Sequence, residues 1–218
     1  PTLFLKGAYE RNGFPAPLRL SHFGIDIDRS PKPERSDPRA VKLGFIGQLT
    51  PHKGAHLLVE AFRASGRGNL SLTVFGPQDQ DLAYYAKLRR QAEGLEIKFL
   101  GILPRAELAA AFGALDYLVI PSTWYENSPL ILLQALATHT PVIVADVSGM
   151  TEFVENGVNG FHFSRGNIGS LTGILRRIAD EPNLARKMCA ASSYERVPAD
   201  MASDVLALYA AHGLAATN

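Results

Sequence analysis

Apolar positions recur in a fixed order along most of the chain: a short run rich in branched side chains, a loop carrying Gly or Pro, then a segment with helical spacing. The runs cover residues 41–46, 70–75, 95–100, 116–120 and 141–145, which predicts five strands. The helical segments cover 55–65, 79–94, 105–112, 129–138 and roughly 151–156. Leu57, Leu58 and Val59 with Ala61 and Phe62 show the three-and-four spacing of one buried helix face. Strands that barely alternate, each followed by a crossover helix, predict a parallel sheet covered on both faces. The expected fold class is α/β, a doubly wound sheet. After Phe163 the pattern turns wholly helical, over 168–179, 182–193 and 199–212. Ahead of the first strand, SPKPERSDPR at 30–39 sets three prolines among charges, which predicts an exposed, extended connection.

Composition narrows the function classes. The 218 residues are 46% hydrophobic, enough for one sizeable core. Twenty-two basic against 21 acidic side chains leave a formal charge of +1, so a nucleic-acid partner is not expected. Cys189 is the single cysteine and can form neither an intrachain disulfide nor a CxxC site, which fits a reducing, cytoplasmic setting. Residues 127–145 lack Asp, Glu, Lys and Arg, a length approaching the ~20 residues that span a bilayer. Pro129 and Pro141 interrupt that stretch, and Ser128, Gln134, Thr138, His139 and Thr140 are too polar for lipid, so a helix, a turn and a buried strand explain it better. The sequence opens at Pro1 without a basic-then-apolar leader, and the expectation is a piece of a larger protein with no signal peptide.

Ligands of open parallel sheets bind outside the carboxyl ends of the strands. The unusual residues of this chain fall there: Gly47 to Gly54 after the first strand, Gly76 to Asp79 after the second, Gly101 to Pro104 after the third, Pro121 to Pro129 after the fourth and Asp146 to Thr151 after the fifth. Two phosphate loops fail on spacing. A P-loop needs Gly before Lys and then Ser or Thr, but Lys53 precedes Gly54; the GxGxxG of a dinucleotide site is missing as well. In the fourth loop Ser128 suits an N-cap and Pro129 the first helical position, so a helix should point its positive N-terminal end at the pocket. Glu126 lies just before that cap and Gln134 eight positions further on.

Glu126 to Gln134 resembles the E-x7-E signature of the group 1 (family 4) retaining glycosyltransferases, which have the GT-B fold of two Rossmann-like domains. Phe45-Ile-Gly-Gln-Leu-Thr-Pro-His-Lys-Gly54 resembles that family's phosphate-contacting loop, and Asp116-Tyr-Leu-Val-Ile-Pro-Ser122 its strand before the signature. Pro141-Val-Ile-Val-Ala-Asp146 and Gly149-Met-Thr-Glu-Phe-Val-Glu-Asn-Gly-Val-Asn-Gly-Phe161 resemble the segment that follows, and His22-Phe-Gly-Ile-Asp26 the short entry to the domain. The likeness runs in order over about 22–195 and matches the C-terminal, donor-binding half of the GT-B fold alone. It implies that 1–21 is a remnant of the N-terminal acceptor domain, 22–40 an entry linker, 41–198 the nucleotide-sugar donor-binding domain and 199–218 a C-terminal helix and tail, that helix packing back onto the other half.

The resemblance also implies roles. Lys53 neutralises the donor diphosphate and Glu126 holds hydroxyls of the transferred sugar, the two catalytic assignments. Donor binding extends to Gly47, Gln48, Gly76 and Asn127, to the backbone amides of Ser128, Pro129 and Leu130 at the helix end, to Gln134 for the ribose, and to Ile102 and Leu103 for the base. Two positions depart from the family. Gln48 stands where Arg is common and brings no charge, and Gln134 replaces the second carboxylate, so donor contact should be weaker there. Trp124 and Tyr125 line the pocket or merely pack. The six histidines show no metal spacing, and His139 falls at a helix C-terminus.

The expected activity is retaining transfer of a hexose-type sugar from a nucleotide diphosphate sugar, without metal or cofactor. The acceptor, a carbohydrate or a lipid-linked one, would be held by the missing domain, and the isolated chain would be inactive. The full-length protein would sit in the cytoplasm with peripheral membrane association. The alternatives are a nucleotide-sugar binding module without catalysis and an epimerase-like GT-B protein.

Overall fold

The computed structural model describes residues 2–29 and 37–211. Most of the 30–39 connection therefore lies outside the described residues, as do His212 and the tail. A helix the sequence pattern did not reveal, α1 (Leu3–Arg11), opens the chain, with Thr2 accepting from the Leu5 amide at 3.1 Å. The alternation then follows: β1 (Val41–Ile46), a 3-10 turn at Pro51–Lys53, α2 (Ala55–Ser65), β2 (Leu70–Phe75), α3 (Leu82–Gln91), β3 (Ile97–Gly101), a second 3-10 turn at Arg105–Glu107, α4 (Leu108–Gly113) and β4 (Tyr117–Ile120). After these come α5 (Leu130–Ala137), β5 (Val142–Ala145), β6 (Gly160–Phe163), α6 (Ile168–Asp180), α7 (Leu184–Cys189) and α8 (Pro198–Ala211).

The six strands are all parallel and lie in the order β3-β2-β1-β4-β5-β6. This is the doubly wound sheet that the patterning predicts. β4 and β5 are buried at every position, as central strands covered on both faces must be. β2 alternates instead, with Leu70, Leu72 and Val74 in the core. On α2 the residues Leu57, Leu58, Val59, Ala61 and Phe62 face the core, and α6 packs beside it. Each fully buried Leu or Val of this core contributes about 1.5–3 kcal/mol by leaving water.

Three expectations change. Residues 151–156 form a short turn and an irregular stretch ending in a bridge from Asn156 to Gly160, not a helix, because Asn159 captures the local backbone: its side chain accepts from the Glu155 amide at 2.8 Å and donates to the Phe153 carbonyl at 3.1 Å. A sixth strand, β6, follows at once; GFHF is too short and too glycine-marked to read as a strand by itself, yet Gly160 passes where a Cβ would overlap the Val142 carbonyl. The helix expected over 182–193 shortens to α7, past which the Ser192 hydroxyl turns back to the Met188 carbonyl at 2.9 Å.

The chain order reverses between β1 and β4, which pair through Leu43↔Tyr117 and Gly44↔Leu118. In sheets of this kind ligands bind at the carboxyl ends of the strands around such a switch point.

Candidate functional site

The loop after β1 begins at Gly47, whose amide donates to the Phe75 carbonyl at 3.0 Å, and a Cβ on neighbouring Gly76 would overlap the Gly47 carbonyl oxygen. Both residues shape that wall by close backbone approach, while Gln48 stands exposed on it. Leu49 is buried and anchors the loop. Lys53 ends the 3-10 turn. Gly54 intervenes at φ +75°, and a Cβ there would overlap the Pro121 carbonyl of the loop after β4. The Thr123 amide donates to the His52 carbonyl at 2.8 Å, so the two loops are tied together at the switch point.

That tie brings the two predicted catalytic side chains into contact. Lys53 Nζ lies 2.7 Å from Glu126 Oε1, and the buried Ser122 hydroxyl donates to the same oxygen at 2.6 Å. The Lys53 and Glu126 side chains are 29% and 14% exposed. The two donors satisfy a carboxylate oxygen that is largely withdrawn from water. Ser122 lies in a motif that the sequence singles out, but nothing in the pattern marks it as a partner of Glu126. Gly149, likewise unassigned, packs against Glu126: the Glu126 amide donates to the Ser148 carbonyl at 3.3 Å.

The start of α5 differs from expectation. Ser128 does not cap it; its hydroxyl donates to the Asn127 carbonyl at 2.6 Å, and Pro129 takes the cap position. Of the three amides expected to bind phosphate, Pro129 has none, and that of Leu130 donates to the Ser128 carbonyl at 2.8 Å. The Ser128 and Ile131 amides have no acceptor among the described residues, and these are the donors the helix end can offer an anion. Asn127 is exposed beside them.

One helical turn along α5, Gln134 faces a cleft of about 460 Å³ shared with Leu103, Leu130 and Arg105. Its far wall is the entry segment Phe23 to Asp26. That segment is pinned by Ile25, whose amide donates to the Arg196 carbonyl at 2.9 Å, and by Gly24, where a Cβ would overlap the Val197 backbone. Leu103, Leu130 and Gln134 thus meet in one cleft, while Ile102 is 72% exposed beside it. Arg105 and Asp26 pair across the mouth at 3.3 Å; both are exposed, so the pair adds little stability.

Tyr125 packs: its ring stacks on Phe4 of α1 at 5.1 Å, and the guanidinium of Arg165 lies over it. Trp124 is 66% exposed. His139 follows the end of α5, as expected. Among the described residues no three His, Cys, Asp or Glu side chains group as metal ligands, and no helix is long and apolar enough to cross a membrane.

A sequence model of the family described as "Glycosyl transferases group 1" matches residues 26–194. A D-inositol 3-phosphate glycosyltransferase of Streptomyces griseus is 31% identical over 212 residues, covering 82% of this chain and 45% of that protein. A glycogen synthase of Mycobacterium tuberculosis is 29% identical over 181 residues, covering 81% of this chain and 43% of that protein. The chain thus spans less than half the length of these relatives. Among solved structures, Anabaena HepE in complex with UDP-glucose superposes with TM-score 0.69 at 24% identity, over 79% of this chain and 49% of that one. The C-terminal domain of a glycosyl transferase group 1 family protein from Francisella tularensis superposes with TM-score 0.65 at 19% identity, over 84% of this chain and 98% of that domain.

Proposed function

The chain belongs to the group 1 glycosyl transferases, and from that premise we propose that it binds a nucleotide diphosphate sugar in the crevice between the loops after β1 and β4. The observation that carries this reading is the meeting of Lys53 and Glu126, the latter two residues ahead of Ser128, whose amide, like that of Ile131, has no acceptor among the described residues. The diphosphate lies between the Lys53 ammonium and the Ser128 and Ile131 amides, where charge-assisted hydrogen bonds are strongest. Glu126 accepts from hydroxyls of the sugar, Gln134 reaches the ribose, and the base enters the cleft beside Leu103. UDP-glucose bound to HepE supports the ligand class.

The reaction is retaining transfer of a hexose-type sugar. The bond from the anomeric carbon to the diphosphate breaks, and the acceptor hydroxyl attacks on the face the diphosphate leaves, giving up its proton to the departing diphosphate oxygen. Lys53 and the α5 amides stabilise the charge that develops on the leaving group. No metal takes part. In this reading residues 1–21 belong to the acceptor-binding half, 22–40 form the entry, 41–198 the donor-binding domain and 199–218 the C-terminal helix and tail, the helix packing back toward the acceptor half. Transfer needs an acceptor held about 3–3.5 Å from the anomeric carbon, so the chain by itself binds donor and transfers nothing.

Calorimetric titration with UDP, GDP and ADP, with and without EDTA, tests the reading. One of the three binds, unaffected by EDTA. Absence of binding by all three rejects it, and EDTA-sensitive binding rejects the metal-free site.

A further inference from the structure

The two donors to Glu126 Oε1 differ in what they can do. Ser122 is fully buried at the end of β4, and its short side chain holds its hydroxyl 2.6 Å from that oxygen. Lys53 approaches the same oxygen on a flexible four-carbon stem that keeps 29% of its surface in solvent. One partner is fixed and the other can swing away, leaving the carboxylate still hydrogen-bonded. Glu126 Oε2 accepts no hydrogen bond from the described residues.

Lys53 is also the cation that any phosphate entering the crevice would seek. Two anions then compete for one ammonium. A diphosphate brings more charge than one carboxylate and meets the Ser128 and Ile131 amides as well, so it has the advantage. We propose that Glu126 acts as an internal counter-ion for Lys53 that a nucleoside diphosphate displaces, Ser122 holding the carboxylate in place as Lys53 transfers. This rests on the reading that the crevice takes a nucleotide diphosphate sugar. The exchange couples the two halves of donor recognition: the diphosphate removes Lys53 from the carboxylate, which then has both oxygens available for sugar hydroxyls. It also implies that the Lys53–Glu126 pair lowers the affinity for bare nucleotide.

The test is a double-mutant cycle by calorimetry on the 218-residue chain. Its ligand is whichever of UDP, GDP and ADP binds the wild type most tightly. Glu126→Gln keeps the shape and the Ser122 hydrogen bond and removes the charge. It should tighten binding about two- to fivefold, the range set by breaking a partly exposed ion pair. In a Lys53→Ala background the same substitution should change affinity by less than about 1.5-fold, because no pair remains to break. Urea denaturation of each variant confirms that the folded protein is being compared. Unchanged or weaker binding by Glu126→Gln overturns the proposal. Equal tightening in both backgrounds also overturns it, since general repulsion between carboxylate and phosphate then suffices. Failure of all three nucleotides to bind the wild type rejects the crevice reading itself, and the counter-ion proposal with it.

Discussion

Gly149 lies against the backbone of Glu126 so closely that a Cβ on the glycine would overlap the Glu126 carbonyl oxygen. Gly149 also holds φ at +92°, a conformation that L side chains rarely adopt. The loop after β5 thereby sets the position of a residue that the loop after β4 carries. Gly149→Ala should cost about 1–3 kcal/mol of stability from backbone strain alone, read as a lower urea midpoint. It should also displace Glu126 from Lys53. An unchanged midpoint would show that the loop yields without cost.

Lys53→Ala should weaken nucleoside diphosphate binding by about 1.5–3 kcal/mol, the range for hydrogen bonds to charged groups. Calorimetry that returns equal affinities for the variant and the wild type would remove Lys53 from the diphosphate site.

Glu126→Ala, placed in a protein that carries both halves, should reduce turnover far more than it reduces affinity for the bare nucleotide, because its partners are sugar hydroxyls. Steady-state kinetics set beside nucleotide titrations separate the two effects. Comparable losses in both would make Glu126 a structural carboxylate.

His56 supplies a pH dependence away from the site. Its Nδ1 lies 2.9 Å from the Tyr84 hydroxyl, which also accepts from the His56 amide at 3.1 Å. Burial lowers the imidazole pKa below its ordinary 6.5, and nearby Lys87 adds to the effect. The unfolded chain therefore binds a proton more readily than the folded one. The His56 contribution to stability is intact above about pH 6.5 and is lost as pH falls below that value. Between pH 7.5 and pH 5.5 the wild type should lose more stability to urea than His56→Gln; equal losses would assign the pH dependence to other groups.

The helix α8 has no buried residue, and Leu206 and Tyr209 are exposed on it. Its tie to the domain includes Arg196, which bonds to Asp204 and to the His22 carbonyl. Hydrogen exchange should find its amides far less protected than those of Val142–Ala145, which lie in fully buried β5. Equal protection would mean that α8 opens only with the whole domain.

Local pattern determined most of the architecture. The bounds of β1, α2 and β2 follow directly from runs of branched apolar residues and from the spacing on α2, because their side chains are buried in a regular period. The Gly-rich and Pro-rich loops could be placed at the carboxyl edge for the same reason, and the motifs around Lys53 and Glu126 named the family. Tertiary structure decided what pattern cannot carry. Lys53 and Glu126 are 73 positions apart, and their pairing exists because β1 and β4 are neighbours at the point of reversal. The role of Ser122 depends on the direction of one buried hydroxyl, and that of Gly149 on a backbone passing from another strand. β6 has no signature in the sequence, because four residues containing a glycine have no period of their own; pairing with β5 makes them a strand. At the start of α5, Ser128 has two kinds of acceptable partner, and its hydroxyl bonds the adjacent Asn127 carbonyl in place of a helix amide. Propensity ranks such options, and the surrounding fold selects among them.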